Sequence, residues 1–424
     1  MGATLLVMPQ SAPPPTPAQT AERRTPSAES RGFLNELAKA LHASGTATHR
    51  METVLEDAAT RLGETAQYFA TPTSIFASFG TGTDQQTFMV RTVPQPTNLG
   101  RWVRVTEIAR AVMAGTLDPS RGTEQLGRLL VPPASTPVTT ALGYMLASAA
   151  GARFLGGGGR ECVMAAVAGL AIGILSGLAQ RLPNLGRVFE LAAATIGSFG
   201  VAALGVAVGG FSVPIATLAG LIVLVPGLTL TTAIAELANS HLTAGTTRMA
   251  GAFTTFISMG FGVAVGGKLA ATLFGPIPTA PPLAAAPWTN WLALIASAFA
   301  FSILLRADRR DLAWIVVAGA VAFVATRLGS ELLGPAMGVF VGALAIGLGS
   351  NLFNRLSLRP AAVTLVPGLL TLVPGSIGFR SIAALLENQV VAGIDTAFTM
   401  MLTAVSLVAG LLTAAAVYPE RPLS

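Results

Sequence analysis

Two patterns of apolar and polar positions divide the chain. In the first third, Met51, Val54, Leu55, Ala58 and Leu62 recur at helical spacing, as do Leu99, Trp102, Val103, Ala109 and Val112. Between them lie Ser74–Gly80 and Gln86–Val93, the second alternating Phe88, Val90 and Thr92 against Met89, Arg91 and Val93. The polar loop Thr81–Gln85 would join these as a hairpin. Asp118 followed by Pro119 reads as an N-cap with proline at the first helical position. The predicted order is helix, helix, hairpin, helix, helix, a small α+β domain over 31–133 closed by Val131-Pro132-Pro133. Ahead of it, Pro9, Pro13, Pro14, Pro15, Pro17 and Pro26 mark a disordered tail over 1–30. Leu5–Met8 is too short, and lacks the basic flank, for a secretory signal.

After Pro133 the pattern changes to long, nearly uninterrupted apolar stretches. Ten are expected to cross a bilayer: 138–155, 162–179, 188–208, 214–236, 246–273, 288–305, 312–326, 332–350, 363–386 and 396–418. The stretch 312–326 is the shortest and needs flanking residues or a thinner bilayer.

Composition sharpens this division. Apolar residues make up 52% of the 424 positions and charged residues only 11%, far below the roughly 25% of a soluble chain. Residues 1–137 hold half of the 46 charges. The net charge of +6 does not mark a nucleic-acid binder, because the basic residues are dispersed between apolar stretches. With the first domain cytoplasmic, Arg181, Arg187, Arg248, Arg306, Arg309, Arg310, Arg355 and Arg359 fall at cytoplasmic ends, against Arg153, Arg160 and Arg327 outside. That asymmetry puts both termini inside. The uncharged, proline-rich loop 276–287 then lies outside. The single cysteine, Cys162, excludes an intrachain disulfide, and His42, His49 and His241 are too scattered for a zinc motif. No metal or other cofactor is expected.

The chain also repeats. Slid by 148 residues, the first five spans land on the last five. Leu224-Val225-Pro226-Gly227 falls on Leu372-Val373-Pro374-Gly375, with nine identities over the 22 positions from 224 to 245. An odd number of spans per unit inserts the second unit upside down. The expected fold is therefore an all-α polytopic membrane protein: ten transmembrane helices as a 5+5 inverted repeat, helices four and nine broken, plus the N-terminal α+β domain. The halves are 134–275 and 288–424.

Candidate chemistry gathers at the two breaks. Pro226 and Pro374 each remove a backbone donor, and Gly227 and Gly375 loosen the chain beside them. A helix N-terminus exposed there attracts carboxylate, and freed carbonyls accept from ammonium. Two such breaks in matching positions suit an amino acid zwitterion; either one alone can equally be a kink. Thr229, Thr231 and Thr232 follow the first break, and Thr371 and Ser376 flank the second. Their hydroxyls can bind a small polar substrate or bond back to their own helices. Arg380 inside the ninth span can clamp a carboxylate or snorkel to the surface. Proton coupling needs a group that changes charge. Glu190, Glu236, His241 and Asp395 are the candidates, Glu190 and Glu236 preferred, and all four lie near span ends where a solvated charge is also at home.

Other features have plainer readings. His49 near Glu52 and Thr53, with Glu56 and Asp57 a turn on, reads as a solvated helix face. The alternative, a membrane-anchored hydrolase with its site in 33–130, lacks a Gly-x-Ser-x-Gly elbow. Gly262–Lys268 has phosphate-loop spacing, but Leu269 follows where Ser or Thr is needed. Gly169/Gly173/Gly177 and Gly334/Gly338/Gly342 are close-packing faces, compatible with contact inside one chain or in an oligomer.

The chain resembles the bacterial threonine/serine exporter family over nearly its whole length after the tail. The resemblance rests on Ala43-Ser-Gly-Thr-Ala-Thr-His-Arg-Met-Glu52 with Arg61-Leu-Gly63, and on Thr71-Pro-Thr73. Two further stretches belong to it: Pro226-Gly-Leu-Thr-Leu-Thr-Thr-Ala-Ile-Ala-Glu236 with Ala244-Gly245, and Leu365-Val-Pro-Gly-Leu-Leu-Thr-Leu-Val-Pro-Gly375. It implies export of threonine and serine across the bacterial plasma (inner) membrane, coupled to protons. The chain departs from the family pattern at His241, where a further acidic residue is expected.

Overall fold

The computed structural model describes residues 28–131, 137–372, 375–386 and 389–421. Most of the predicted tail and the pairs Pro132-Pro133 and Val373-Pro374 lie outside them.

The N-terminal domain begins with α1 (Ala28–Ala43) and α2 (Thr48–Arg61). Three strands follow, β1 (Ala66–Thr71), β2 (Ser74–Phe79) and β3 (Gln86–Arg91), then α3 (Leu99–Met113) and α4 (Pro119–Leu130). The sheet is an antiparallel meander in the order β1-β2-β3, with Ala66 opposite Phe79 and Ser74 opposite Arg91. The expected hairpin is therefore β2–β3, and β1 is an addition. Ala66–Thr71 was missed because it does not alternate: Ala70 and Thr71 are both buried. Its turn is set locally by the Thr71 hydroxyl, which accepts from the Ser74 N–H at 3.0 Å. The Asp118 cap forms as expected, its carboxylate accepting from Ser120 N–H at 3.0 Å. Phe33, Leu37, Met51, Leu55, Ile75, Phe79, Val105 and Leu126 form the core of this domain.

The rest is helical. α5 (Pro137–Phe154), α6 (Gly159–Ala179), α7 (Pro183–Gly186), α8 (Phe189–Val208), α9 (Val213–Gly220), α10 (Gly227–Ala238) and α11 (Leu242–Phe274) make up the first part. α12 (Thr289–Leu304), α13 (Leu312–Leu333), α14 (Pro335–Ser357), α15 (Ala362–Leu370), α16 (Gly375–Leu386) and α17 (Val390–Val417) make up the second. Among the described residues, seven stretches are long and apolar enough to cross a membrane, and α9 with α10 forms a further pair bent by 47°. The chain is a multi-pass membrane protein. Each of the ten expected spans coincides with a helix or a helix pair, but α5 and α12 do not reach that standard of length and apolarity. α12 has 16 residues, a rise of about 24 Å against a hydrocarbon core of about 30 Å. The stretch expected to be shortest is instead the 22-residue α13, which carries Arg327 and Glu331 as an exposed ion pair in its last turns. Arg327 is thus helical, where a loop was expected.

Small residues let the helices approach. A methyl group on Gly169 would stand 2.7 Å from the Ser148 Cβ of α5, and one on Gly338 would stand 2.6 Å from the Ser330 backbone nitrogen of α13. Gly334, expected on the same face, is different: it caps α13 with a φ of 90° and faces open space.

Two carboxylates tie helix starts to distant loops. Glu161, 1% exposed in the first turn of α6, accepts from Gly158 N–H at 2.8 Å and from Ser212 N–H at 2.7 Å. Asp311, just before α13, pairs with Arg359 in the α14–α15 connection.

Candidate functional site

The first break begins where α9 ends. A short 3-10 turn, Ile222–Leu224, follows, then Val225 in extended conformation. Pro226 has no N–H to continue the ladder, and Gly227 N–H turns back to the Val225 carbonyl at 2.8 Å before α10 starts. At the second break α15 closes with Thr371 N–H on the Gly368 carbonyl and Leu372 N–H on the Leu369 carbonyl. α16 then starts at Gly375; Pro374 itself lies outside the described residues. α10 and α16 are each twelve residues long, and their first residues are 148 positions apart, as are those of α11 and α17.

The two breaks meet. A Cβ on Gly375 would lie 2.6 Å from Val225 Cγ1, 3.2 Å from Gly227 Cα and 3.5 Å from Gly227 N. The N-termini of two half-helices therefore converge on one point, each with first-turn N–H groups that have no partner within the helix. Around them close Tyr144, Leu221, Leu230, Phe256, Phe379 and Met400. Thr231 is 2% exposed, and its hydroxyl oxygen is buried with no hydrogen-bond partner. Thr229, Thr232 and Ser376 are half-buried on the same two half-helices. Thr371 bonds back to the Gly368 carbonyl at 2.6 Å, so its hydroxyl belongs to its own helix. Arg380 is exposed on α16, which takes the carboxylate-clamp reading away from it.

The coupling candidates separate. Glu190 is half-buried in the first turn of α8, and Asp395 is exposed on α17. Glu236 is fully buried but not free: Arg248 Nε donates to both its oxygens, at 3.1 and 3.0 Å. Thr48 of α2 adds its backbone N–H at 3.1 Å and its hydroxyl at 2.9 Å. His241, at the start of α11, faces Glu52 of α2, with Nε2 to Oε2 at 2.9 Å. Glu236 and His241 thus form a junction between the N-terminal domain and the membrane helices.

That junction was not legible beforehand. α2 reads as a solvated face because its polar residues find partners 188 positions away. The i,i+4 spacing of Thr48 and Glu52 places them together and says nothing of what covers them. His49 packs there too, its ring 6.0 Å from that of His241. Burial, reinforced by the charge of Arg50, pushes the His49 imidazole down to about 4, so it is neutral at ordinary pH. The domain is seated at further points on the same face. Leu99 N–H donates to the Leu305 carbonyl at 2.8 Å, and Arg50 pairs with Glu420 at 2.5 Å. Leu99 and Trp102 pack on Leu305 and Ala362. The N-terminal domain and the C-terminal segment therefore share one face of the helical bundle.

The hydrolase alternative gains nothing from this geometry. His42 Nε2 lies 3.0 Å from the Pro72 carbonyl, which can only accept, so that nitrogen carries its proton and is no base for the nearby Thr92 hydroxyl. Among the described residues no group of His, Cys, Asp and Glu could hold a metal ion.

Two broken helices meeting inside a polytopic helical bundle are a feature that secondary transporters also show. Residues 32–270 match the model described as "Putative threonine/serine exporter", residues 290–417 match "Threonine/Serine exporter, ThrE", and the chain belongs to this threonine/serine exporter family. An uncharacterized protein of Schizosaccharomyces pombe is 28% identical over 79% of this chain and 46% of its own length. Pheromone-regulated membrane protein 10 of Saccharomyces cerevisiae is 25% identical over 87% of this chain and 48% of its own length. The chain therefore spans about half the length of these curated relatives. Both are fungal, so the similarity does not tie the chain to a bacterial membrane. No solved structure matches.

Proposed function

We propose that the chain is a secondary exporter of threonine and serine that works by proton antiport, with its substrate site at the meeting point of the two broken helices. The observation that carries this reading is the contact of Gly375 with Gly227 and Val225. It joins two helix N-termini from matching positions in the sequence, each with a partial positive charge of roughly half a unit. The amino acid carboxylate would accept from the first-turn N–H groups of α10 and α16, beside Pro226, Gly227, Pro374 and Gly375. The ammonium would take the carbonyls that end α9 and α15. The unpartnered Thr231 hydroxyl would meet the substrate hydroxyl, with Thr229, Thr232 and Ser376 lining the approach. Backbone atoms are in contact here, so substrate enters only when the half-helices part.

In this reading 134–275 and 288–424 are five-helix halves of opposite orientation, joined outside by 276–287. The domain over 31–133 and both termini lie in the cytoplasm, and the membrane is the plasma membrane. Glu190 is the preferred proton carrier, since Glu236 is committed to Arg248 and Thr48.

Purified protein in liposomes, loaded with labelled threonine under an imposed pH gradient, tests this directly. Flux that follows the gradient and is competed by serine is expected. Correctly inserted protein with no gradient-dependent flux would sink the reading.

A further inference from the structure

His241 is flanked by acceptors on both ring nitrogens. Nδ1 lies 2.9 Å from the Asn239 carbonyl and Nε2 lies 2.9 Å from Glu52 Oε2. A carbonyl and a carboxylate can only accept, so this geometry uses two N–H donors on one imidazole. One proton more than a neutral imidazole and a carboxylate require is therefore not an excess but what the pair holds. Glu52 is anchored on its other oxygen, where Oε1 accepts from Ala70 N–H of β1 at 2.6 Å.

We propose that the proton shared by Glu52 and His241 latches the soluble domain onto the end of half-helix α10, and that losing it releases α10 to move. Release is chemically simple. The imidazolium gives one proton to solvent, one of the two contacts becomes lone pair against lone pair, and the charge attraction between His241 and Glu52 is lost. α2 is then held by the neighbouring clamp, through Thr48 N–H and O–H on Glu236, and by Arg50 on Glu420. Glu236 sits in the last turn of α10, so whatever holds α2 also fixes the half-helix whose other end meets Gly375.

Among the described residues, charged and titratable groups from three helices gather around this pair. From α2 come His49, Arg50 and Glu52; from α10, Glu236; from α11, Arg248. Arg50 is paired with Glu420, Arg248 with Glu236, and the buried His49 stays neutral near pH 7. His42 also feels Arg248 but is bonded to the Pro72 carbonyl.

As far as it concerns movement at the transport site, the latch rests on the exporter reading; its seating of the domain does not. Two backbone amides report it directly: Thr48, bonded to Glu236, and Ala70, bonded to Glu52. Hydrogen exchange of the full chain in lipid nanodiscs, from about pH 6 to about pH 8, measures their protection after correction for intrinsic exchange. Protection should fall on the order of tenfold as pH rises. His241→Gln, which keeps a neutral donor, and Glu52→Gln should each remove the pH dependence, whereas His49→Gln should keep it. Flat protection in the parent chain, or a pH response that survives in both His241→Gln and Glu52→Gln, overturns the latch. Threonine flux on the same samples separates the two ideas. A pH-dependent latch without flux counts against the exporter reading alone, and flux with flat protection counts against the latch alone.

Discussion

A methyl group on Gly375 probes the contact between the two broken helices. In Gly375→Ala the new Cβ would stand 2.6 Å from Val225 Cγ1, where carbon atoms settle at about 3.5–4.0 Å. The shortfall is therefore on the order of 1 Å. Val225 is β-branched and stiff at χ1, and the next neighbour, Gly227 Cα at 3.2 Å, is backbone that cannot swing aside. Overpacking of this kind costs about 1–3 kcal/mol, offset by up to about 1 kcal/mol of helix propensity gained over glycine. A net loss of about 1–2 kcal/mol shifts the closed arrangement against the parted one by roughly 5–30-fold. Thermal unfolding of the purified protein and threonine flux in liposomes both read it. Gly375→Ala should lower both, and Gly375→Leu should abolish flux. Val225→Ala deletes the methyl group in the way, so the double variant should recover at least about 0.5 kcal/mol beyond additivity. Gly251→Ala on α11 has nothing within 4 Å of its added Cβ and should leave flux unchanged. Additive effects of Gly375→Ala and Val225→Ala, or a Gly375→Ala protein as stable as its parent, would refute the contact.

Three further outcomes follow from the buried polar groups. Glu236→Ala leaves Arg248 and Thr48 N–H without their acceptor and should cost about 3–5 kcal/mol in thermal or denaturant unfolding, while Glu236→Leu with Arg248→Met should cost clearly less. His49 is held near 4 against an ordinary 6.5, a difference worth about 3 kcal/mol. Because the unfolded chain binds that proton more readily, the contribution is complete above about pH 6.5 and is lost as pH falls toward 4; His49→Gln should flatten the acid limb of a stability–pH curve. Glu161→Ala strands the N–H groups of Gly158 and Ser212 and should cost about 1–3 kcal/mol, with exchange at Ser212 rising first.

How the candidate residues divided has a physical reason. Pro226-Gly227 and the position of Gly375 were legible because a missing N–H and a missing Cβ break a helix wherever they occur. Thr371 and Arg380 were not, because a hydroxyl or a guanidinium in a span has two homes and only packing chooses between them. Thr371 bonds its own helix and Arg380 faces outward. Glu236 and His241 lie at span ends, as expected, but their partners were not legible. Their partners, Thr48 and Glu52, lie on a helix whose exposed-looking face is covered only in the folded chain. β1 escaped for a related reason: neighbouring residues buried on both faces erase the alternation that marks a strand.

By itself, the sequence determined a multi-pass helical membrane protein, most of its long apolar helices, and the register of the two breaks. All three depend on local properties: apolar length, charge scarcity, and residues that cannot continue a helix. The tertiary structure alone decided that the breaks touch, that Glu236 is clamped by Arg248 and Thr48, and that the N-terminal domain sits on the end of α10. Those depend on groups far apart in the chain, and pairing a buried carboxylate with a donor 188 residues away has no signature in local spacing.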